Sequence, residues 1–164
     1  MLLPIDLLPY QDRLTVHHHR DGAQLTCLAR RKRLVLTPEE VVRQLLLHYL
    51  IEERGYPQNR IRVEMGLKVN TMSRRCDILV FNRQVEPVLL VECKAAHVPL
   101  TQSTFEQIAR YNTTLKVPYL LVSNGPSSYC SYIDHAQSSF TFLSEVPDYE
   151  ALHQAIGVEN YTTY

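Results

Sequence analysis

The sequence lacks a long apolar run. No stretch of its 164 residues approaches the roughly 18 consecutive apolar residues of a membrane span, so a helical membrane protein is excluded. The apolar start, Met1 to Pro9, is broken by Pro4 and Asp6. It has neither a basic n-region nor a small-residue cleavage site, so it does not read as a signal peptide and a cytoplasmic protein is expected. There is no CxxC. Cys27, Cys76, Cys93 and Cys130 stand 49, 17 and 37 residues apart, which excludes zinc-finger spacing and leaves four reduced, mostly buried thiols. A GxxxxGK[ST] phosphate loop is missing, and there is no room for a helicase motor. With five Gly, nine Pro and 45% hydrophobic residues, a collagenous, disordered or disulfide-stapled chain is excluded as well. Neither repeats nor an evident linker interrupt the pattern. The length suits one domain, and a chain of this size buries roughly 70% of its unfolded surface.

Net charge is also lacking, at 17 Lys and Arg against 17 Asp and Glu, but the charges are unevenly spread. Residues 1–75 hold 13 basic and 8 acidic side chains, a net of +5, and residues 76–164 hold 4 and 9, a net of −5. An ordinary basic nucleic-acid binder is excluded. A local basic face from Arg30-Arg31-Lys32-Arg33, Arg60, Arg62, Lys68, Arg74 and Arg75 and a merely solvated surface are equal readings.

Residues 1–23 read as an irregular arm, with His17-His18-His19 in an exposed turn, and Gln24 to Ala29 as a short extended segment. A helix is expected from Thr37, with Pro38 at its first position and Glu40 closing a capping box. Val41, Val42, Leu45, Leu46, Tyr49 and Leu50 recur at helical spacing until Gly55 and Pro57 stop the helix near Arg54. Strands follow over Ile61 to Val69, with its odd-numbered residues on one face, then over Asp77 to Phe81 and Pro87 to Cys93. Gln102 to Leu115 is an amphipathic helix, Pro118 to Ser123 a buried strand, and Asn124-Gly125-Pro126 a turn. Tyr129 to Ile133 and Phe140 to Leu143 read as edge strands, and Asp148 to Ile156 as a last short helix. The expected organisation is an arm over residues 1–23, one α/β domain over 24–158 and a tail over 159–164.

The chemistry-bearing constellation is Asp77 and, fifteen residues on, Glu92-Cys93-Lys94. On a strand Glu92 and Lys94 share a face while Cys93 turns away. If the two strands pair, Asp77 lies beside Glu92. Two buried carboxylates are costly unless protonated, paired or bound to a cation. A hard divalent ion such as Mg²⁺ resolves that cost, and the Cys93 carbonyl could add an oxygen. Lys94 would then position a water or stabilise charge on a phosphate. The other open reading is a structural pair of Lys94 with Glu92 or Asp77.

The chain resembles the PD-(D/E)xK nuclease superfamily, in the branch that forms the N-terminal nuclease domain of type I restriction enzyme R subunits. The blocks that carry the resemblance are Thr37-Pro38-Glu39-Glu40-Val41-Val42-Arg43-Gln44, Arg75-Cys76-Asp77-Ile78-Leu79-Val80-Phe81, Leu90-Val91-Glu92-Cys93-Lys94-Ala95 and Phe105-Glu106-Gln107-Ile108-Ala109-Arg110-Tyr111-Asn112. The last looks like a QxxxY motif, and Cys76 stands where the superfamily name has Pro. The resemblance spans about residues 30–145. It implies a restriction-endonuclease-like α/β fold, a central mixed sheet flanked by helices. It also implies a DNA endonuclease using Mg²⁺ or Mn²⁺, with Asp77 and Glu92 as metal-binding carboxylates and Lys94 as the catalytic lysine. A glutamate of the first helix completes such a site; Glu40 fits best and Glu39 is the near alternative. Gln107 and Tyr111, four apart on one helical face, would line the site or meet the DNA backbone, and Arg74 and Arg75 would hold phosphates. R subunits carry a motor and this chain has none. It is therefore expected to be a stand-alone nuclease, a relic, or one part of a split system that works with other restriction-modification subunits or a separate motor protein. The alternatives are a catalytically inactive nuclease-fold module for DNA binding or assembly, and a junction-resolving nuclease of the same superfamily.

Overall fold

The apolar runs in the middle of the chain become neighbouring strands of one sheet. The structure, a computed structural model, describes residues 2–69 and 72–152. Among the described residues the elements follow one another as β1 (Val16–His19), β2 (Gly22–Thr26), β3 (Arg33–Val35), α1 (Pro38–His48), β4 (Ile61–Val69), β5 (Met72–Phe81), β6 (Pro87–Cys93), α2 (Gln102–Leu115), β7 (Tyr119–Ser123), β8 (Ser128–Asp134) and β9 (Ser139–Phe142). Strands β4 to β9 form a six-stranded sheet in sequence order. Only β6 and β7 pair in parallel; the other neighbours are antiparallel. A parallel pair needs a long crossover, and α2 supplies it. The fold is thus the mixed sheet with flanking helices that the resemblance implies.

Alternation along the strands builds two apolar layers. Ile78, Val80, Val91, Cys93 and Leu121 face α1, where Val42, Leu45, Leu46 and Leu47 are buried. Leu79, Leu90, Leu120 and Val122 face α2, against Ile108 and Tyr111. Helix α1 starts where expected: the Glu40 amide donates to Thr37 Oγ1 at 3.1 Å. The reciprocal half of a capping box does not form, because the Glu40 carboxylate bonds Arg43 and Gln44 instead. A π-helical turn, Tyr49–Glu53, extends the helix. Gly55, at φ +68°, then ends it with the Tyr56 amide on the Leu50 carbonyl at 2.9 Å, the left-handed stop that glycine favours.

Several expectations need correction. The N-terminal segment is not an irregular arm: it forms a 3₁₀ turn over Leu8–Arg13 and two strands of a small β1-β2-β3 sheet. Its Leu3 and Leu7 are buried in the α1-side core. The histidine run lies in β1 rather than a turn, and His17 Nε2 sits 2.9 Å from Thr26 Oγ1 across the ladder. Strand β4 does not keep one face. Ile61 and Val63 enter the α1 layer, Leu67 enters the α2 layer, and Met65 is 38% exposed. The switch falls at Glu64, whose φ of +47° breaks the regular alternation. The Val69 side chain lies outside the described residues. All four cysteines are free and buried, as expected. The last helix is described only through Leu152, and the tail over 159–164 lies outside the described residues. Among the described residues, no helix is long and apolar enough to cross a membrane.

Candidate active site

Strand β5 leaves β6 at the point where the two carboxylates stand. The last β5–β6 pair is Ile78 with Val91, so Asp77 and Glu92 are the next residues along, just past the end of the ladder. Strand β6 stays paired with β7 through Cys93 and Ser123. Freed from β5, the Cys93 amide donates to Asp77 Oδ2 at 2.6 Å. Arg43 Nη2, from α1, donates to Asp77 Oδ1 at 2.7 Å. Both oxygens of Asp77 are therefore held, by donors from different elements.

Glu92 faces the other layer. Lys94 Nζ donates to its Oε1 at 2.9 Å, and Gln107 Nε2 of α2 donates to the same oxygen. Lys94 Nζ also reaches Gln107 Oε1 at 3.3 Å, and Gln107 Nε2 lies 3.3 Å from the Tyr111 hydroxyl. The spacing of Gln107 and Tyr111 puts both on the α2 face over the sheet. Four of the residues singled out in sequence thus form one hydrogen-bonded group.

Burial sets the electrostatics. The side chains of Asp77 and Glu92 are only 12% and 4% exposed. Burial, and after it the Asp77 charge, pushes the Glu92 carboxyl up to about 7, with Lys94 pulling the other way. The Lys94 ammonium feels the same burial, which disfavours its charge, but the Glu92 hydrogen bond and charge outweigh it and hold Lys94 protonated. Glu39 is lifted by burial and then by Asp77, against the cations Lys94 and Arg43. Arg43 is buried too; Asp77 and Glu40 overcome the loss of hydration and keep its guanidinium charged.

The first-helix glutamates divide. Glu40 is buried and committed to Arg43 and, through its Oε1, to Gln44 Nε2 at 2.7 Å. It reaches Asp77 only through Arg43. Glu39 interacts electrostatically with Asp77, Glu92 and Lys94. Arg74 and Arg75 are exposed on the part of β5 that pairs with β4 alone, and the Arg75 charge helps to lower the Glu64 carboxyl. Sequence reasoning attaches no role to Arg43. A single arginine inside an amphipathic helix reads as surface, and only the docking of α1 on β5 brings it to Asp77.

The donor set suits a hard divalent ion. It offers buried carboxylate oxygens from adjacent strands that repel one another and lift Glu92, and Mg²⁺ is commonly held by one or two carboxylates plus substrate oxygens. Among the described residues, no three His, Cys, Asp or Glu side chains converge on a single metal point. The protein part of such a site would therefore be Asp77, Glu92 and backbone oxygen rather than a full cage.

Comparison with known proteins gives the family and the fold. The profile of the type I restriction enzyme R protein N terminus matches residues 38–147, a span holding every residue of the group. Among solved structures, a fragment described as an HsdR subunit of a type I restriction enzyme from Vibrio vulnificus YJ016 superposes with a TM-score of 0.53 at 19% identity. The match covers 76% of this chain and 26% of that one, so the likeness speaks for the fold. No curated protein matches the chain.

Proposed function

The chain belongs to the family of type I restriction enzyme R protein N termini, and from that premise we propose that it is a divalent-metal-dependent endonuclease hydrolysing phosphodiester bonds of DNA in the cytoplasm. The observation that carries the reading is the hydrogen-bonded group of Glu92, Lys94 and Gln107, set beside Asp77 where two strands part. Asp77, Glu92 and the Cys93 carbonyl would hold Mg²⁺ or Mn²⁺, which polarises the phosphate and acidifies a bound water. Lys94, kept protonated by Glu92, orients the attacking water and offsets charge on the phosphate oxygens. Gln107 fixes Lys94 and Glu92 together, and Tyr111 holds Gln107. Glu39, half-exposed at the rim, fits the additional carboxylate better than Glu40. Arg74 and Arg75 bind backbone phosphates. With zero net charge, affinity for DNA alone is weak, which favours delivery of DNA by other restriction-modification subunits or a separate motor protein.

One observation favours a second reading, an inactive module that keeps the fold for DNA binding or assembly. Arg43 and Lys94 already balance the two carboxylates. Cleavage of supercoiled, linear and single-stranded DNA with Mg²⁺, Mn²⁺ or EDTA separates the two. The nuclease reading expects metal-dependent cutting that is lost in both Asp77→Ala and Lys94→Ala. Cutting that persists in both variants overturns the site, and a folded wild-type chain that neither cuts nor binds Mn²⁺ leaves the module.

A further inference from the structure

Arg43 is an unusual residue for its place. It is 5% exposed and meets four carboxylates: Asp77 at 2.7 Å, Glu40, Glu39 at 3.5 Å and Glu64 at 3.7 Å. Its Nε is buried without a hydrogen-bond partner among the described residues. The guanidinium is thus placed to serve the acids at its two Nη ends, at the expense of a buried donor. The surroundings are built to the same end. Glu64 adopts φ +47°, a strained conformation for a residue with a side chain. Its carboxylate lies between Arg43 and Arg30.

We propose that Arg43 is a positioning residue that holds Asp77 in a fixed orientation and acts as the resident counter-cation of the acidic cluster, thereby setting how tightly the site takes a divalent ion. The inference rests on the metal-dependent reading above. Two observations carry it past an ordinary ion pair. Asp77 has one oxygen on Arg43 and the other on the Cys93 amide, which fixes the plane of the carboxylate as well as its position. The same guanidinium forks between Asp77 and Glu40 through different nitrogens, a geometry that lysine does not reproduce.

The signature is a split between affinity and rate. Without the guanidinium the cluster becomes more negative, so a divalent ion binds more tightly. Asp77 meanwhile loses its Oδ1 anchor, so the reaction slows. A role confined to stability weakens folding and ion binding together and gives no split.

The test is a Mn²⁺ titration of the whole chain without DNA, following free Mn²⁺ by electron paramagnetic resonance, alongside cleavage rates. Arg43→Met is expected to bind Mn²⁺ about tenfold more tightly than wild type, as the loss of one nearby positive charge requires, while cleaving about 100-fold more slowly. Arg43→Lys is expected to bind within about threefold of wild type, since the charge is kept, and still to cleave slowly. If Arg43→Met folds only with Mn²⁺ present, that rescue also supports the counter-cation role. Binding by Arg43→Met no tighter than wild type, or cleavage by Arg43→Lys at the wild-type rate, overturns the proposal. A wild-type chain that binds no Mn²⁺ instead overturns the metal reading beneath it.

Discussion

Replacing Glu92 with glutamine removes a charge that the metal-free fold holds at a disadvantage. The carboxyl is pushed from 4.5 to about 7 by burial and by Asp77. A raised carboxyl pKa means that the folded chain binds a proton more tightly than the unfolded one. The stabilisation from Glu92 is therefore complete below about pH 4.5 and lost as the pH climbs through 7. At about 1.4 kcal/mol per unit, the loss is on the order of 3 kcal/mol across that window, a large part of the stability of an ordinary domain. Glu92→Gln does not titrate, and its amide oxygen still accepts from Gln107 and Lys94. Urea unfolding in EDTA from pH 4.5 to 8.5 should show the stability of Glu92→Gln minus that of wild type growing by about 3 kcal/mol. Saturating Mg²⁺ at pH 8 should cancel most of that difference. Wild type gains about 2.7 kcal/mol at 100 times its dissociation constant, and the variant gains little. A difference that stays flat with pH refutes the argument that Glu92 is held at a disadvantage in the free protein.

The remaining predictions divide structural from catalytic acids and test the fold. Glu39→Gln should slow cleavage tenfold or more while unfolding within about 0.5 kcal/mol of wild type. Glu40→Gln should lose about 1–3 kcal/mol of stability, because the buried Arg43 guanidinium keeps an acceptor but loses the charge that balances it; the reverse ranking in urea unfolding and cleavage assays would exchange their roles. Gln107→Leu should slow cleavage about 10- to 100-fold by releasing Lys94 and Glu92, which a single-turnover rate measurement reads directly. Leu46→Ala, at a fully buried position of α1, should cost about 2–5 kcal/mol in urea unfolding.

How far the sequence revealed this arrangement depends on how local each signal is. The bounds of α2 and β6 are readable because amphipathic spacing, flanking prolines and a continuous apolar run act within the element itself. The order of β5, β6, α2 and β7 follows in turn, and with it the shared face of Glu92 and Lys94; that Gln107 and Tyr111 join them is what the family resemblance implies. The small N-terminal sheet escapes notice because Val16-His17-His18-His19 has no apolar alternation. Its strands are fixed by pairing with β2 and by Leu3 and Leu7 entering a core assembled from distant segments. The face switch in β4 escapes for a related reason: a left-handed residue at Glu64 has no sequence mark comparable to glycine.

The choice between Glu39 and Glu40 shows where local reasoning stops. Adjacent residues on a helix point about 100° apart, so the docking angle of α1 decides which acid meets the sheet. Periodicity tells which face of α1 is apolar, but a buried polar triad at the edge of that face shifts the answer. Arg43 and Gln44 recruit Glu40 inward, and Glu39 is left at the rim beside Asp77 and Lys94. The same three residues that obscure the assignment also explain it. Glu40 turns its carboxylate to Arg43 and Gln44, whereas Glu39 stands half-exposed and acts electrostatically on Asp77 and Lys94. Under the proposed reading, the acid that Arg43 and Gln44 draw inward is therefore the structural one, and Glu39 is the one left for the chemistry.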